Sequence, residues 1–325
     1  MKDYSVRQYE TNDKAVWNAF VNEAKNATFL FHRDFMEYHS DRFEDFSLLI
    51  FHKTKLVAVL PANRVGDEVF SHQGLTYGGL IYKEKLKLTS FIDVFSAVLK
   101  YLKQNHIKQI LIKTIPSIYH QKPAEEIQYA LFLTEAKLTR RDSLSVVDLR
   151  KPLLISKGRT EGINKGIKNN LKVVEEPNFK SFWDEIMIPS LEERYHVKPV
   201  HSAEEITLLH SKFPQNIRQF NVYFEDKIVA GTTIFESNQV AHAQYISANE
   251  SKNELGSLDF LYHYLLTEVF HKKTFLDFGI SNEYQGKKVN GGLLFWKESF
   301  GTSTIVQDFY EVNTANFNLL EDVLL

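Results

Sequence analysis

Asp277 stands inside the apolar run Phe275-Leu-Asp-Phe-Gly-Ile280, and Lys297 follows Phe295 and Trp296 further along the chain. A carboxylate in such a strand is costly to bury unless it is hydrogen-bonded or functional, which makes Asp277 a candidate for taking or orienting a proton. A satisfied strand-end carboxylate and an exposed helix lysine would look the same at this level. Tyr245 lies on a strand with His242 across the pleat, where a core aromatic is the plain alternative. Arg194 and Tyr195 precede a proline-containing turn and suit either an anion clamp or a surface salt bridge. Ser71-His-Gln-Gly-Leu-Thr-Tyr77-Gly-Gly79 puts polar side chains and three glycines at a strand end. Glycines there let a ligand approach the backbone beside Tyr77, although a bulge at a sheet edge has the same composition.

From Arg150 to Lys172 seven Lys or Arg residues face one acid, Glu161. Within this run Lys165 and Lys168 are candidates for steering a phosphate-bearing substrate, against the alternative of a solvated helix face. The run also marks the expected entry to a second domain, with Pro152 and Gly158 punctuating it and a helix over 160–169. P-loop, G-x-G-x-x-G, H-E-x-x-H and G-x-S-x-G signatures are absent, and pairs such as His196/His201 lack a third ligand at metal-site spacing, so no metal is expected.

The elements that would position these residues are written twice, about 170 residues apart. Phe51-His-Lys-Thr-Lys55-Leu-Val-Ala58 ends one strand and starts another, and Phe224-Glu-Asp-Lys227-Ile-Val-Ala230 does so with one residue fewer. Each is followed by a strand (68–80; 240–248), an amphipathic helix (90–104; 257–271) and a short apolar strand (107–113; 274–279). In the first helix Phe91, Val94, Phe95, Val98 and Leu102 share one face, and Ser90 is the expected N-cap. The pattern predicts duplicated mixed α/β (α+β) domains, 1–150 and 151–325, with the working cleft between them.

A chain of 325 residues exceeds the usual single-core size, and 43% hydrophobic residues, among them 25 Phe and 15 Tyr, supply a core for each half. A net charge of −2 gives no global attraction to polyanions, so DNA is not an expected partner and any nucleic-acid contact would be local. Cysteine is absent, which excludes a thiol nucleophile and fits a reducing compartment. Apolar runs are strand length, short of a membrane span, and the N-terminus has no signal-like apolar core, so a cytoplasmic protein is expected.

The order of elements resembles the GNAT acyltransferase superfamily. In that superfamily the junction before the central helix carries Gln/Arg-x-x-Gly-x-Gly/Ala, whose backbone N–H groups hold the pyrophosphate of coenzyme A. The matching residues are Asn253-Glu-Leu-Gly256-Ser-Leu258, which keep Gly256 and Ser257 for an anion but place Leu258 at the small-residue position. Arg159-Thr-Glu-Gly162-Ile-Asn164 has a similar look but precedes the sheet and is set aside. Phe275-Leu-Asp277-Phe-Gly279-Ile and Gly291-Gly-Leu-Leu-Phe-Trp296-Lys297-Glu-Ser-Phe300-Gly301 resemble the FemABX family of double-GNAT aminoacyl transferases, as does the basic stretch 162–174.

That resemblance implies two tandem GNAT-like domains and transfer of an acyl or aminoacyl group to an amine of a cell-envelope precursor. The donor would be aminoacyl-tRNA or acyl-coenzyme A, neither held as a tight cofactor. The partners would be a small-molecule or nucleotide-linked precursor and, through the family, tRNA. It implies that Lys297 stabilises charge developing in the reaction, with Trp296 replacing the family's phenylalanine before it, and that His39 stands near the family's basic substrate-binding position. Two other readings remain open at this level. One is a coenzyme A-dependent N-acyltransferase acting on an amino sugar, the other a non-catalytic binding protein that kept the duplicated fold.

Overall fold

The computed structural model describes residues 4–195 and 199–323, without the side chains of Arg194 and Tyr195. The chain separates into two compact units, Met1–Asp142 with Gln285–Lys287 and Val306–Leu325, and Ser143–Tyr284 with Lys288–Ile305. The first division falls at 142/143, ahead of the 150 expected from sequence. Residues 306–325, expected in the second domain, count with the first because Phe309–Asn313 pairs antiparallel with Gln109–Lys113.

In the first unit Tyr4–Gln8, Leu48–His52, Lys55–Leu60 and Ile81–Tyr82 form one antiparallel sheet in that order. Gln109–Lys113 is flanked by the C-terminal strand and, in parallel, by Glu68–Phe70. The helix Leu88–Gln104 buries Phe91, Val94, Phe95, Val98 and Leu102, the face anticipated from spacing. It begins at Leu88 with Lys87 in the cap position, so Ser90 lies inside the first turn and is not the N-cap.

In the second unit Lys172–Glu175, Ile217–Phe224, Lys227–Glu236 and Val240–Ala248 run antiparallel to their neighbours. Phe275–Ile280 then pairs in parallel with Val240–Ala248, but only over Val240–His242 and Phe275–Asp277. On its other side it pairs antiparallel with residues 144–148. The helices Lys157–Lys168 and Ser257–Tyr264 pack closely through two glycines. A Cβ on Gly162 would stand 1.9 Å from Asp259 Oδ2, and one on Gly166 2.5 Å from Phe260 Cβ.

The duplication is visible in the registers. His52 pairs with Lys55 and Phe224 with Lys227, each across a two-residue turn that opens on a left-handed residue, Lys53 (φ 55°) and Glu225 (φ 53°). Each hairpin then bulges at the same place, Val57 in one and Val229 in the other. The two turns therefore have equal length, and the one-residue difference read from sequence came from aligning Phe51, rather than His52, with Phe224. The copies diverge in the next strand. Val240–Ala248 is continuous, whereas its counterpart, expected over 68–80, breaks into Glu68–Phe70 and Ile81–Tyr82 around the glycine-rich stretch.

Candidate active site

Parallel strands that part company leave a gap, and the chemistry-bearing residues of the second unit gather there. His242 and Asp277 are the last residues in register before Val240–Ala248 and Phe275–Ile280 diverge. Asp277 is wholly buried; its Oδ2 lies 3.0 Å from His242 Nδ1, and its Oδ1 accepts a 2.7 Å hydrogen bond from the Gly279 amide. The register with the neighbouring strand slips between Asp277 and Ile280, where Gly279 takes φ +71°, a left-handed conformation that glycine adopts without strain.

Two carbonyls at that irregularity accept from Lys297. It sits near the end of the helix Gly291–Glu298, which Asn290 caps by accepting from the Leu293 amide. The Lys297 ammonium donates to Gly279 O at 3.1 Å and Ile280 O at 2.6 Å. An ammonium has three N–H donors, so one is left over. The residue is 2% exposed, and burial pushes its pKa down to about 8 while the nearby Asp277 charge acts in the opposite direction.

The strand and helix that carry His242 and Lys297 also line, through Tyr245, Phe295 and Trp296, a cavity of about 790 Å³ built from second-unit residues, Arg159 and Leu258 among them; His242, Asp277 and Lys297 are not part of its lining. This is the size range of small-molecule sites. Trp296 packs against Tyr262, Phe278 and Phe300 and donates its indole N–H to Asp259 Oδ1 at 3.0 Å. Arg159 Nη1 donates to the same oxygen at 2.6 Å. The Tyr245 hydroxyl accepts from the His201 amide at 3.2 Å and pairs with His201 Nδ1, so this side chain both anchors a loop and lines the cavity.

Among the other residues singled out from sequence, Gly256 and Ser257 are buried beneath the helix Lys157–Lys168. The carbonyl of Gly162 comes within 2.0 Å of where a Cβ on Gly256 would lie, and Ser257 has no exposed surface. The anion expected at this helix start therefore meets protein atoms. Lys165 Nζ donates to Asn253 O at 2.9 Å, and Lys168 is exposed. His39 and Tyr77 belong to the first unit. His39 is buried in a stack with His72, ring centroids 5.2 Å apart, and Tyr77 donates to Thr28 Oγ1 at 3.0 Å beneath the Tyr119 ring. Burial lowers the pKa of His39 and drives that of His72 to about 3. Arg194 lies on the helix Ile188–Tyr195, with its side chain outside the described residues. Among the described residues no three His, Asp or Glu side chains gather to hold a metal ion, and no helix is long and apolar enough to cross a membrane.

Sequence reasoning missed the Arg159–Asp259–Trp296 network and gave His242 no role of its own. Asp259 was the available signal, an acid two positions past Ser257 on an otherwise apolar helix face. The segment around Arg159 had been set aside because it precedes the sheet.

No family model and no curated protein matches the sequence. Solved structures do match in fold. The chain superposes on FemX with a TM-score of 0.66 at 10% identity, over 98% of this chain and 99% of that one. L-PGS from Bacillus licheniformis aligns with a TM-score of 0.56 at 12% identity, over 85% of this chain and 87% of the other. A tandem GNAT protein from the clavulanic acid biosynthesis pathway aligns with a TM-score of 0.51 at 9% identity, over 96% and 99%. The fold is thus the tandem GNAT architecture that FemX has, as the order of elements and the C-terminal motifs had led us to expect.

Proposed function

We propose that this chain is an acyltransferase that moves an acyl or aminoacyl group from an activated ester or thioester onto an amine of a cell-envelope precursor. The observation that carries the reading is Lys297, a buried ammonium oriented by two carbonyls with one N–H left over, on the helix whose Phe295 and Trp296 line a cavity of ligand size. In this reaction the amine nitrogen attacks the carbonyl carbon, a C–N bond forms, and the negative charge gathers on the carbonyl oxygen. Donation from Lys297 to that oxygen stabilises the transition state. Collapse breaks the C–O or C–S bond, and the leaving group takes up a proton. His242, whose Nδ1 is held by Asp277, is the group we assign to remove the amine proton through Nε2. Asp277, wholly enclosed, then orients the imidazole and does not itself meet the amine.

Burial of Gly256 and Ser257 favours aminoacyl-tRNA over acyl-coenzyme A as donor, because the helix start that would hold the coenzyme's pyrophosphate is covered. The test is to incubate the protein with acetyl-coenzyme A or a panel of aminoacyl-tRNAs and a nucleotide-linked muramyl peptide, following amide formation by mass spectrometry. We expect product from a tRNA donor and roughly 100-fold slower turnover for Lys297→Ala with KM little changed. Product from acetyl-coenzyme A alone would transfer the reading to an N-acyltransferase. Ligand-induced thermal stabilisation without amide from any donor would leave a binding protein.

A further inference from the structure

The helix Lys157–Lys168 has two effects in the second unit. It covers Gly256 and Ser257 at the start of the helix Ser257–Tyr264, the kind of place where backbone amides ordinarily seat a phosphate. It also carries Arg159 onto the wall of the cavity. The guanidinium is held by one arm only, Nη1 on Asp259 Oδ1, and Asp259 is fixed in turn by the Trp296 indole. Nη2 and Nε have no hydrogen-bond partner among the described residues, and Nε is enclosed. Arginine carries five N–H donors in a planar fork, and a side chain only 23% exposed with most of them unanswered is short of acceptors. Among the described residues Lys252 is the other cation lining the cavity, and Asp259, already engaged twice, is its one acid.

We propose that Arg159, steadied by Asp259, is the anion anchor of this cavity: it binds a phosphate or carboxylate group of the entering ligand through the free side of its guanidinium, in place of the covered amides at Ser257. The assignment rests on the transfer reading for the reason a ligand enters, but anion binding is measured without any transfer. The geometry explains why an arginine stands here. A planar fork can give Nη1 to Asp259 and still present Nη2 to an oxyanion, which a lysine cannot do with the same orientation. It also accounts for the glycine at 162, since a Cβ there would push Asp259 off the position that holds Arg159.

The experiment is calorimetric titration of the full chain with inorganic pyrophosphate and, separately, with succinate. Wild type is compared with Arg159→Gln, Arg159→Lys and the exposed control Lys227→Gln, each checked for native circular dichroism. We expect one of the two anions to bind wild type and Lys227→Gln alike, Arg159→Gln to bind it at least about ten-fold more weakly, and Arg159→Lys to fall between. Preference for pyrophosphate assigns a phosphate ligand, and preference for succinate a carboxylate. Should Arg159→Gln fail to fold, Arg159→Lys carries the test through its several-fold loss. Unchanged binding in a folded Arg159 variant, an equal loss in Lys227→Gln, or no binding of either anion to wild type would overturn the anchor. Undiminished anion binding in Arg159→Gln with amide formation intact sinks the anchor and leaves the transfer reading standing. Arg159-dependent binding with no amide from any donor does the reverse.

Discussion

Replacing Lys297 with methionine removes an ammonium while keeping most of the stem's volume, and its effect on stability has a sign that can be worked out. Lys297 is 2% exposed, and burial lowers its pKa from an ordinary 10.5 to about 8. At about 1.4 kcal/mol per pH unit, folding with the charged side chain in place is about 3 kcal/mol less favourable than it would be for a solvated lysine. The variant escapes that penalty but deprives the Gly279 and Ile280 carbonyls of their donors, at about 1 kcal/mol or more each. The two effects nearly offset at pH 7, so the informative quantity is the pH dependence. Between about pH 8 and 10.5 the unfolded wild type binds more protons at this position than the folded protein, so wild-type stability rises with pH across that window. The variant has no such group, and titrations remote from this cluster are common to both proteins and drop out of their difference. Urea unfolding at pH 7, 8.5 and 9.5 should show the wild type gaining on Lys297→Met by about 2 kcal/mol over the series, with little change below pH 7.5. A difference that stays constant, or that shrinks as pH rises, would refute the claim that this lysine is held charged against its own burial.

Three further outcomes are expected. Reversing Lys165 and Lys168 to Glu together should raise the apparent KM of the phosphate-bearing substrate, more steeply at low salt, and leave turnover within about two-fold; a turnover defect with KM unchanged would remove the steering role. His242→Ala should lower turnover by about 100-fold or more, and Asp277→Asn by a smaller factor, both with near-native circular dichroism; equal activity of wild type and His242→Ala in a steady-state assay would send the proton elsewhere. Gly162→Ala should destabilise the protein by roughly 1–3 kcal/mol in urea, because its methyl would stand 1.9 Å from Oδ2 of Asp259, a carboxylate pinned through its Oδ1 by Arg159 and Trp296; a change below about 0.5 kcal/mol would mean that this helix pair yields.

Much of the scaffold is local information and is therefore readable along the chain. The apolar faces of Leu88–Gln104 and of the paired hairpins follow from helical and strand periodicity, and periodicity needs no knowledge of what lies opposite. The helix Ala203–Lys212 shows the same locality, since Ser202 and Glu205 form a reciprocal cap written within four residues. Asp277 and Lys297 were also visible, because a charge inside an apolar run stands out in one dimension. Their division of labour was not. Whether a strand carboxylate meets solvent or an imidazole depends on the neighbouring strand, and His242 arrives from another segment through the parallel register.

What sequence alone determined is thus the order of elements, their buried faces and the presence of an acid inside one apolar strand and a lysine on a later helix. The rest needed the third dimension. Gly256 and Ser257 carry the local composition of a phosphate loop, yet the helix Lys157–Lys168 covers them because Gly162 and Gly166 allow two helices to approach at backbone distance. That same approach brings Arg159 to Asp259 and Trp296, which lie far along the chain from it. The C-terminal strand, contiguous in sequence with the second unit, pairs with Gln109–Lys113 of the first because the ladder partner it completes lies there. Periodicity records which face of an element is apolar. Which distant element covers that face, and which polar atoms it brings with it, is settled by packing and hydrogen-bond satisfaction among segments that meet only in the folded chain.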